Sequence, residues 1–228
     1  MPAPDGRPDR LVVVVGTGTE VGKTWVSVRL LEEWRAAGAS VAARKPAQAF
    51  SPEDSSPTDA ERLGAASGEP PDTVCPPQRW YPLAMAPPMA AARLGRPVPR
   101  LDDLVDELVW PQPPVDVGLI ETAGGLRSPQ AVDGDALDLV SALAPSLVVA
   151  VADAGLGTIH AVRLVTSAMA GVDVPYVVVL NRFDGADPLN LDNLRWLTQQ
   201  DRLDVLPGDG DGIKALSRRA FEQPITAR

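Results

Sequence analysis

The sequence predicts an α/β fold in which helices cover both faces of a mainly parallel β-sheet. Short apolar runs, rich in β-branched residues and bounded by turn residues, are typical of strands buried on both faces. Helical patterns alternate with these runs, and the first strand leads through a glycine-rich turn directly into the first helix. With 228 residues, of which 45% are hydrophobic, the chain is long enough for one domain with a sizeable core.

The strands and helices follow one another in regular alternation. Predicted strands cover residues 11–15, 40–43, 115–120, 147–151 and 175–180. Predicted helices cover residues 24–37, 59–66, 101–109, 136–142, 158–170 and 189–199. Because a strand, a helix and a second parallel strand form a right-handed βαβ unit, this order predicts a mainly parallel sheet.

Residues 46–114 differ from the rest of the chain in their proline content. They hold 15 of the 24 prolines, which favours loops and short helical pieces. Trp80, Tyr81 and Leu83 give this segment apolar surface to bury. We therefore interpret it as a large ordered insertion after the second strand of a single domain that spans 1–228. A linker between two domains is the alternative.

The composition excludes several classes of partner. The 30 acidic and 21 basic residues give a formal net charge of −9, which argues against a non-specific binder of nucleic acid or anionic membranes. The single cysteine cannot form an internal disulfide, and residues 1–10 lack the apolar stretch of a signal peptide. No apolar run approaches the roughly 20 residues of a membrane span. The sequence predicts a cytoplasmic protein whose partners are small molecules.

Residues 16–24, Gly-Thr-Gly-Thr-Glu-Val-Gly-Lys-Thr, form a candidate phosphate-binding loop, or P-loop. A glycine-rich turn exposes backbone N–H groups, and the helix N-terminus adds about half a positive charge beside the phosphates. Lys23 would reach the β- and γ-phosphates of a nucleotide, and the Thr24 hydroxyl would bind Mg²⁺. The first glycine stands one residue earlier than in the common pattern, so a plain strand-to-helix turn is the alternative. The pattern predicts a P-loop NTPase-like fold.

Polar residues follow the other predicted strands, at the carboxyl edge of the sheet. Ligands bind at this edge in open α/β folds. Lys45 is one of only three lysines beside 18 arginines, which favours a functional role over that of a surface lysine. Glu121 ends an apolar strand opposite the P-loop and offers a hard carboxylate to Mg²⁺. Asp59 is either another ligand or a helix-capping charge, and Asn181 either contacts a nucleobase or is a turn residue.

The sequence contains no pattern for covalent or zinc catalysis. His160 is the only histidine and Cys75 the only cysteine, and neither stands in a nucleophile or metal-ligand motif.

Several motifs in the same order and spacing resemble the dethiobiotin synthetase family, across roughly residues 11–185. They are the loop 16–24, Lys-Pro-Ala-Gln at 45–48, Thr-Asp-Ala at 58–60, Tyr-Pro at 81–82 with Met-Ala-Pro at 85–87, Glu-Thr-Ala-Gly-Gly at 121–125 and Gly-Leu-Gly-Thr-Ile at 155–159. The resemblance implies an ATP- and Mg²⁺-dependent enzyme of biotin biosynthesis that closes a ureido ring on 7,8-diaminononanoate. In that chemistry an amine captures CO₂, supplied as CO₂ or bicarbonate, as an N-carbamate. The γ-phosphate of ATP activates the carbamate as a carbamic-phosphoric anhydride, and the neighbouring amine displaces phosphate.

The resemblance also implies roles for individual residues. The catalytic residues would be Lys23, Lys45 and Thr19. ATP would contact Gly18, Thr19, Glu20, Val21, Gly22, Lys23, Thr24 and Asn181. The metal would be held by Thr24, Asp59 and Glu121. The diamine would lie beside Ala49, Thr122, Gly124, Gly157, Thr158 and His160, the last three from the neighbouring chain of a homodimer.

Four positions depart from the family pattern. Ala49 stands where the family has Ser or Thr, which removes a hydroxyl hydrogen bond worth about 0.5–1.5 kcal/mol. Phe50 and Thr122 replace glycines, and His160 stands where Asn is common. These departures lie on the acceptor side, so two alternatives stay open: a related ATP-dependent ligase for another amine or carboxylate, and a nucleotide-switch ATPase.

Overall fold

The computed structural model describes residues 6–222, and its centre is a six-stranded parallel sheet. The strands are β1 (Arg10–Gly16), β2 (Val41–Arg44), β3 (Gln48–Ala49), β4 (Trp80–Tyr81), β5 (Val117–Glu121), β6 (Pro129–Ala131), β7 (Gly134–Asp135), β8 (Leu147–Asp153), β9 (Tyr176–Asn181) and β10 (Val205–Pro207). The sheet has the order β10-β9-β8-β1-β5-β2, with every neighbouring pair parallel. All six strands therefore present their carboxyl ends at one edge.

Helices cover both faces of this sheet, as the sequence predicts. They are α1 (Lys23–Ala36), α2 (Asp59–Ser67), α3 (Pro71–Val74), α4 (Pro87–Arg93), α5 (Leu101–Asp106), α6 (Ala136–Leu143), α7 (Thr158–Met169), α8 (Pro188–Arg195) and α9 (Gly210–Glu222). Because side chains alternate along a strand, Val12 and Val14 of β1 pack towards α1, α2 and α9, whereas Val13 and Val15 pack towards α6 and α7. The β-branched runs thus supply two cores, one on each face.

The predicted elements agree with the structure within a few residues, apart from two helix ends and several elements that were not predicted, among them the short strands β3, β4, β6 and β7. The helix predicted to end at 109 ends at Asp106, and the one predicted over 189–199 ends at Arg195 and continues as a π-helical turn, Trp196–Gln200. Strand β10 and helix α9 were not predicted. Three residues are too few for a visible strand pattern, and α9 begins with Gly-Asp-Gly, which is unfavourable in a helix.

The proline-rich segment 46–114 contains short elements between β2 and β5. β3 and β4 form a two-stranded parallel sheet, and α2 is the longest helix that the structure describes in this segment. Ala47, Tyr81, Ala90 and Ala91 are buried in a small cluster of their own. This segment builds one wall of the cleft at the edge of the main sheet. Within residues 6–222 no helix is both long and apolar enough to cross a membrane.

Candidate active site

The loop between β1 and α1 is shaped to present backbone N–H groups. Gly22 adopts a left-handed conformation with φ 92° as the N-cap of α1, and a Cβ there would come within 1.9 Å of Asn181 Nδ2. In the described part of the chain, the N–H groups of residues 18–22 donate to no protein acceptor. Five consecutive donors without a protein acceptor therefore lie beside the N-terminus of a 14-residue helix.

Lys23 lies at the base of this loop with only 7% of its surface exposed. Its ammonium donates a hydrogen bond of 3.2 Å to the carbonyl oxygen of Gly18. Burial lowers the pKa of Lys23, and the attraction of Glu121 offsets this only in part. An anion beside the ammonium would relieve this desolvation cost, which is what a phosphate in the loop would do.

Lys45, Asp59, Glu121 and Thr24 converge in one hydrogen-bonded cluster. Lys45 Nζ lies 2.6 Å from Asp59 Oδ2 and 2.6 Å from Glu121 Oε1. Thr24 Oγ1 lies 2.8 Å from Asp59 Oδ1 and 2.9 Å from Glu121 Oε1. Because these residues come from the end of β2, the start of α2, the end of β5 and the start of α1, the sheet edge brings together four positions that are distant in sequence.

The charges of this cluster stabilise one another. Burial alone would lower the pKa of Lys45, but the attraction of Glu121 and Asp59 outweighs burial and raises this pKa above its usual range. Burial alone would raise the pKa of Asp59, but Lys45 outweighs it and holds this pKa below its usual value. At neutral pH the ammonium and the Asp59 carboxylate are therefore both charged.

The oxygen atoms of the cluster fit a hard divalent cation. Thr24 has one hydroxyl hydrogen for two carboxylate oxygens, so the three side chains hold more acceptor oxygens than donors. Within residues 6–222, no three or more His, Cys, Asp or Glu side chains gather in a group suited to a metal ion. Two carboxylates and a hydroxyl are the donors that Mg²⁺ uses when phosphate oxygens and water complete its shell.

A cleft of about 920 Å³ opens beside this cluster at the sheet edge. Lys23, Thr24, Lys45 and Asp59 line its phosphate side. Its other side, which we call the acceptor side, is lined by Gln48, Ala49, Phe50, Ala84, Met85, Ala86, Pro87, Ala123 and Gly124. The volume is ample for a ligand of nucleotide size together with a smaller molecule.

The residues that define the acceptor side are apolar apart from Gln48, whereas Ser51, Asp54, Ser56 and Ser128 place polar groups elsewhere on the lining of the cleft. Ala49 pairs with Tyr81 between β3 and β4, and the Phe50 ring packs edge-on against Trp80 at a centroid distance of 6.4 Å. The hydroxyl that the family pattern carries at position 49 is absent, and the aromatic ring at position 50 occupies space that glycine would leave open.

Two groups of the predicted substrate-binding residues do not line this cleft within the described chain, and the second of them is predicted to act from the neighbouring chain. Thr122 is fully buried, and its hydroxyl donates to Val14 O of β1 at 3.3 Å, so the side chain points into the sheet. Of the described residues that line the cleft, none belongs to α7, which begins at Thr158 after Gly157 and includes His160. Thr19, Glu20, Gly22 and Gly124 do line the cleft.

Asn181 binds the P-loop. Its amide nitrogen donates to Val21 O at 2.9 Å, and its side chain is buried. This hydrogen bond uses one of the two amide hydrogens of Asn181, so the other is left for a second acceptor. The nucleobase contact of Asn181 stays a prediction.

Three polar residues at the site were not identified from sequence patterns. Ser27 donates to Glu121 Oε2 at 2.8 Å, one helical turn after Thr24. Gln48 Oε1 accepts the N–H of Ala60 at 3.0 Å. Arg182 lines the cleft and contacts the P-loop. Only Ser27 carried a signal, its i+3 spacing from Thr24 on a helix.

Cys75 takes no part in this chemistry. It is buried, and burial raises the pKa of its thiol to about 12, so the thiol is protonated at neutral pH.

Known proteins resemble this chain over most of its length. A sequence family described as an AAA domain matches residues 10–209. The ATP-dependent dethiobiotin synthetase BioD of Anaeromyxobacter dehalogenans strain 2CP-C is 38% identical over 221 residues, which cover 92% of this chain and 94% of that protein.

Solved structures share the fold at low sequence identity. A plasmid partition protein of Borrelia burgdorferi B31, bound to AMPPNP, has a TM-score of 0.55 at 14% identity, with 95% of this chain and 97% of that chain covered. The signal recognition particle receptor FtsY of Elizabethkingia anophelis has a TM-score of 0.53 at 18% identity. There the match covers 93% of this chain but only 65% of FtsY. These likenesses confirm the P-loop NTPase-like fold that the loop 16–24 predicts.

Proposed function

This chain belongs to the dethiobiotin synthetase family, and we propose that it carboxylates 7,8-diaminononanoate and closes the ureido ring of dethiobiotin at the expense of ATP. One observation carries the proposal: the buried ammonium groups of Lys23 and Lys45 lie at one edge of the sheet, beside two carboxylates and a run of free backbone donors. This arrangement suits a reaction that moves a phosphoryl group and needs no nucleophile from the protein.

The chain's own residues would act by positioning and by charge. The N–H groups of residues 18–22 would hold the ATP phosphates, and Lys23 would neutralise the charge that moves with the γ-phosphoryl group. Lys45 would stabilise the N-carbamate and the carbamic-phosphoric anhydride, with Thr19 nearby on the lining of the cleft. The second amine of the substrate would then displace phosphate and close the ring.

Magnesium fits the oxygen cluster, and when bound it would supply positive charge that stabilises the phosphate groups. Thr24, Asp59 and Glu121 are the residues that would hold it. Lys45 would keep Asp59 ionised, since its charge lowers the pKa of that carboxyl.

We further propose that the active unit is a homodimer. Leu156, just before α7, is 92% exposed, and the nearby Gly157 has open space around it. The N-terminus of α7 would then contact the carboxylate of a substrate molecule that is bound to the neighbouring chain. Sedimentation or light scattering would test this, and a monomer at micromolar concentration that is fully active would contradict it.

A direct test is product formation. Purified protein incubated with ATP, Mg²⁺, bicarbonate and 7,8-diaminononanoate should yield dethiobiotin, detected by mass spectrometry. Omission of either ATP or the diamine should abolish the product. ATP binding without any dethiobiotin would contradict the proposal.

A second candidate is a ligase of the same type for another amine or carboxylate. The observation that favours it is the apolar acceptor side, where Ala49 and Phe50 offer no polar side-chain atom to a carbamate. ADP release that depends on a different amine, in the absence of turnover with the diamine, would support this candidate.

A further inference from the structure

Two consecutive residues after β9 hold two consecutive carbonyl groups of the P-loop. Asn181 Nδ2 donates to Val21 O at 2.9 Å, and Arg182 Nη2 donates to Glu20 O at 2.7 Å. The second contact joins positions 162 residues apart and does not follow from the loop sequence itself.

These contacts fix the direction in which the loop's N–H groups point. The carbonyl of Glu20 and the N–H of Val21 belong to one planar trans peptide, so they point in opposite directions. The Glu20 carbonyl points to the Arg182 guanidinium, so the Val21 N–H of the same peptide points away from it. The same geometry relates Val21 O, held by Asn181, to the N–H of Gly22.

The backbone on both sides of the Arg182 contact is strained. Glu20 has φ 60° and Arg182 has φ 57°, a left-handed region that non-glycine residues rarely adopt. Such conformations persist where surrounding contacts hold them in place, often at ligand sites. The Arg182 guanidinium is the group that ties the two strained residues together.

Asp153 orients that guanidinium. Its Oδ2 lies 2.6 Å from Arg182 Nη1, at the end of the neighbouring strand β8, and its Oδ1 accepts the N–H of Gly155 at 2.9 Å. The ion pair is about half exposed, so it adds little to overall stability. Its effect is local, on the direction of the guanidinium.

We propose that Arg182 is a positioning residue that sets the orientation of the Glu20–Val21 peptide and so completes the donor set for the nucleotide phosphates. This inference rests on the proposed use of ATP but not on the identity of the acceptor. Arg182 acts through the backbone of the P-loop, so its effect does not depend on which acceptor the cleft binds.

The test compares Arg182→Asn, Arg182→Lys and Arg195→Ala. Asparagine tolerates the left-handed conformation, so the first variant removes the guanidinium without adding backbone strain. Arg195 pairs with Asp192 on α8 and has no contact with the P-loop, which makes its variant the matched control. Thermal unfolding checks that each variant is folded.

Calorimetric titration with a non-hydrolysable ATP analogue and Mg²⁺ should show affinity weakened about tenfold by Arg182→Asn, equivalent to about 1.4 kcal/mol. Arg182→Lys should recover part of this loss, and Arg195→Ala should bind as wild type. In turnover, KM for ATP should rise with little change in KM for the diamine. Hydrogen exchange over residues 16–24 should show less protection by the analogue in Arg182→Asn.

Equal analogue affinity in Arg182→Asn and Arg195→Ala would overturn the inference, as would a loss confined to diamine binding. If wild-type protein binds the analogue more tightly than Arg182→Asn does but forms no dethiobiotin, the inference about Arg182 stands. That result would contradict only the proposed function.

Discussion

The two sides of the cleft are built on different principles. On the phosphate side, Lys45, Thr24, Ser27, Asp59 and Glu121 are joined by hydrogen bonds of 2.6–2.9 Å. On the acceptor side, small and apolar residues from short elements line the wall. Most side chains on the phosphate side are thus held by more than one partner. On the acceptor side, a single side chain can be substituted without breaking such a network. One substitution on the phosphate side therefore disturbs several contacts at once, whereas one on the acceptor side disturbs few.

The largest effect should come from Lys45→Gln, which breaks the phosphate side at its centre. Turnover should fall at least about 100-fold, because the charge proposed to stabilise the carbamate is lost. Affinity for an ATP analogue should fall by less than about tenfold, since Lys23 and the loop donors remain. Initial rates and analogue titration measure the two effects.

Lys45→Gln should also destabilise the fold by about 3 kcal/mol, since Glu121 would be left buried without its cation. The midpoint of thermal unfolding should drop by about 6–12 °C. Lys214→Gln is the control, since Lys214 is exposed on α9. Undiminished turnover in Lys45→Gln would remove Lys45 from the mechanism.

The next effect should come from Ser27→Ala, which leaves Glu121 Oε2 without its donor in a fully buried place. The free energy of unfolding should fall by about 2 kcal/mol. Ser141→Ala removes a hydroxyl from an exposed position on α6 and should have little effect. Denaturant unfolding compares the two variants, and equal stability would show that the cluster does not depend on this contact.

A smaller effect, of opposite sign, should follow Ala49→Ser on the acceptor side. A restored hydroxyl should raise kcat/KM for the diamine about two- to tenfold, the value of one neutral hydrogen bond. Ala84→Ser adds the same hydroxyl elsewhere on the lining of the cleft and should bring no gain. A loss of turnover in Ala49→Ser would indicate that the wall is shaped for another substrate.

The smallest effect should come from Cys75→Ala, which should leave turnover within about twofold of wild type because the thiol is buried away from the chemistry.

The folded state raises the pKa of this thiol from 9.0 to about 12. Its contribution to stability is therefore present below pH 9.0 and is lost as the pH rises towards 12. Slow alkylation of native protein at pH 8 would agree with this, and rapid alkylation would not.

The sequence predicted which phosphate-side residues lie together at one edge of the sheet, because its signals are local. The loop 16–24 and the strand ends at Lys45 and Glu121 can be read from short patterns, and parallel strands bring them to one edge. The inward turn of Thr122 and the contact of Arg182 with Glu20 depend on distant segments. Side-chain direction after a strand end and pairing across 162 residues leave no periodic trace in the chain.

The most direct test of the account uses ¹³C-labelled bicarbonate with ATP, Mg²⁺ and 7,8-diaminononanoate. The dethiobiotin formed should be one mass unit heavier and equal in amount to the ADP released, because the ureido carbon would come from bicarbonate and each ring closure would consume one ATP. ADP release without labelled dethiobiotin, or with far less of it than ADP, would contradict the assignment.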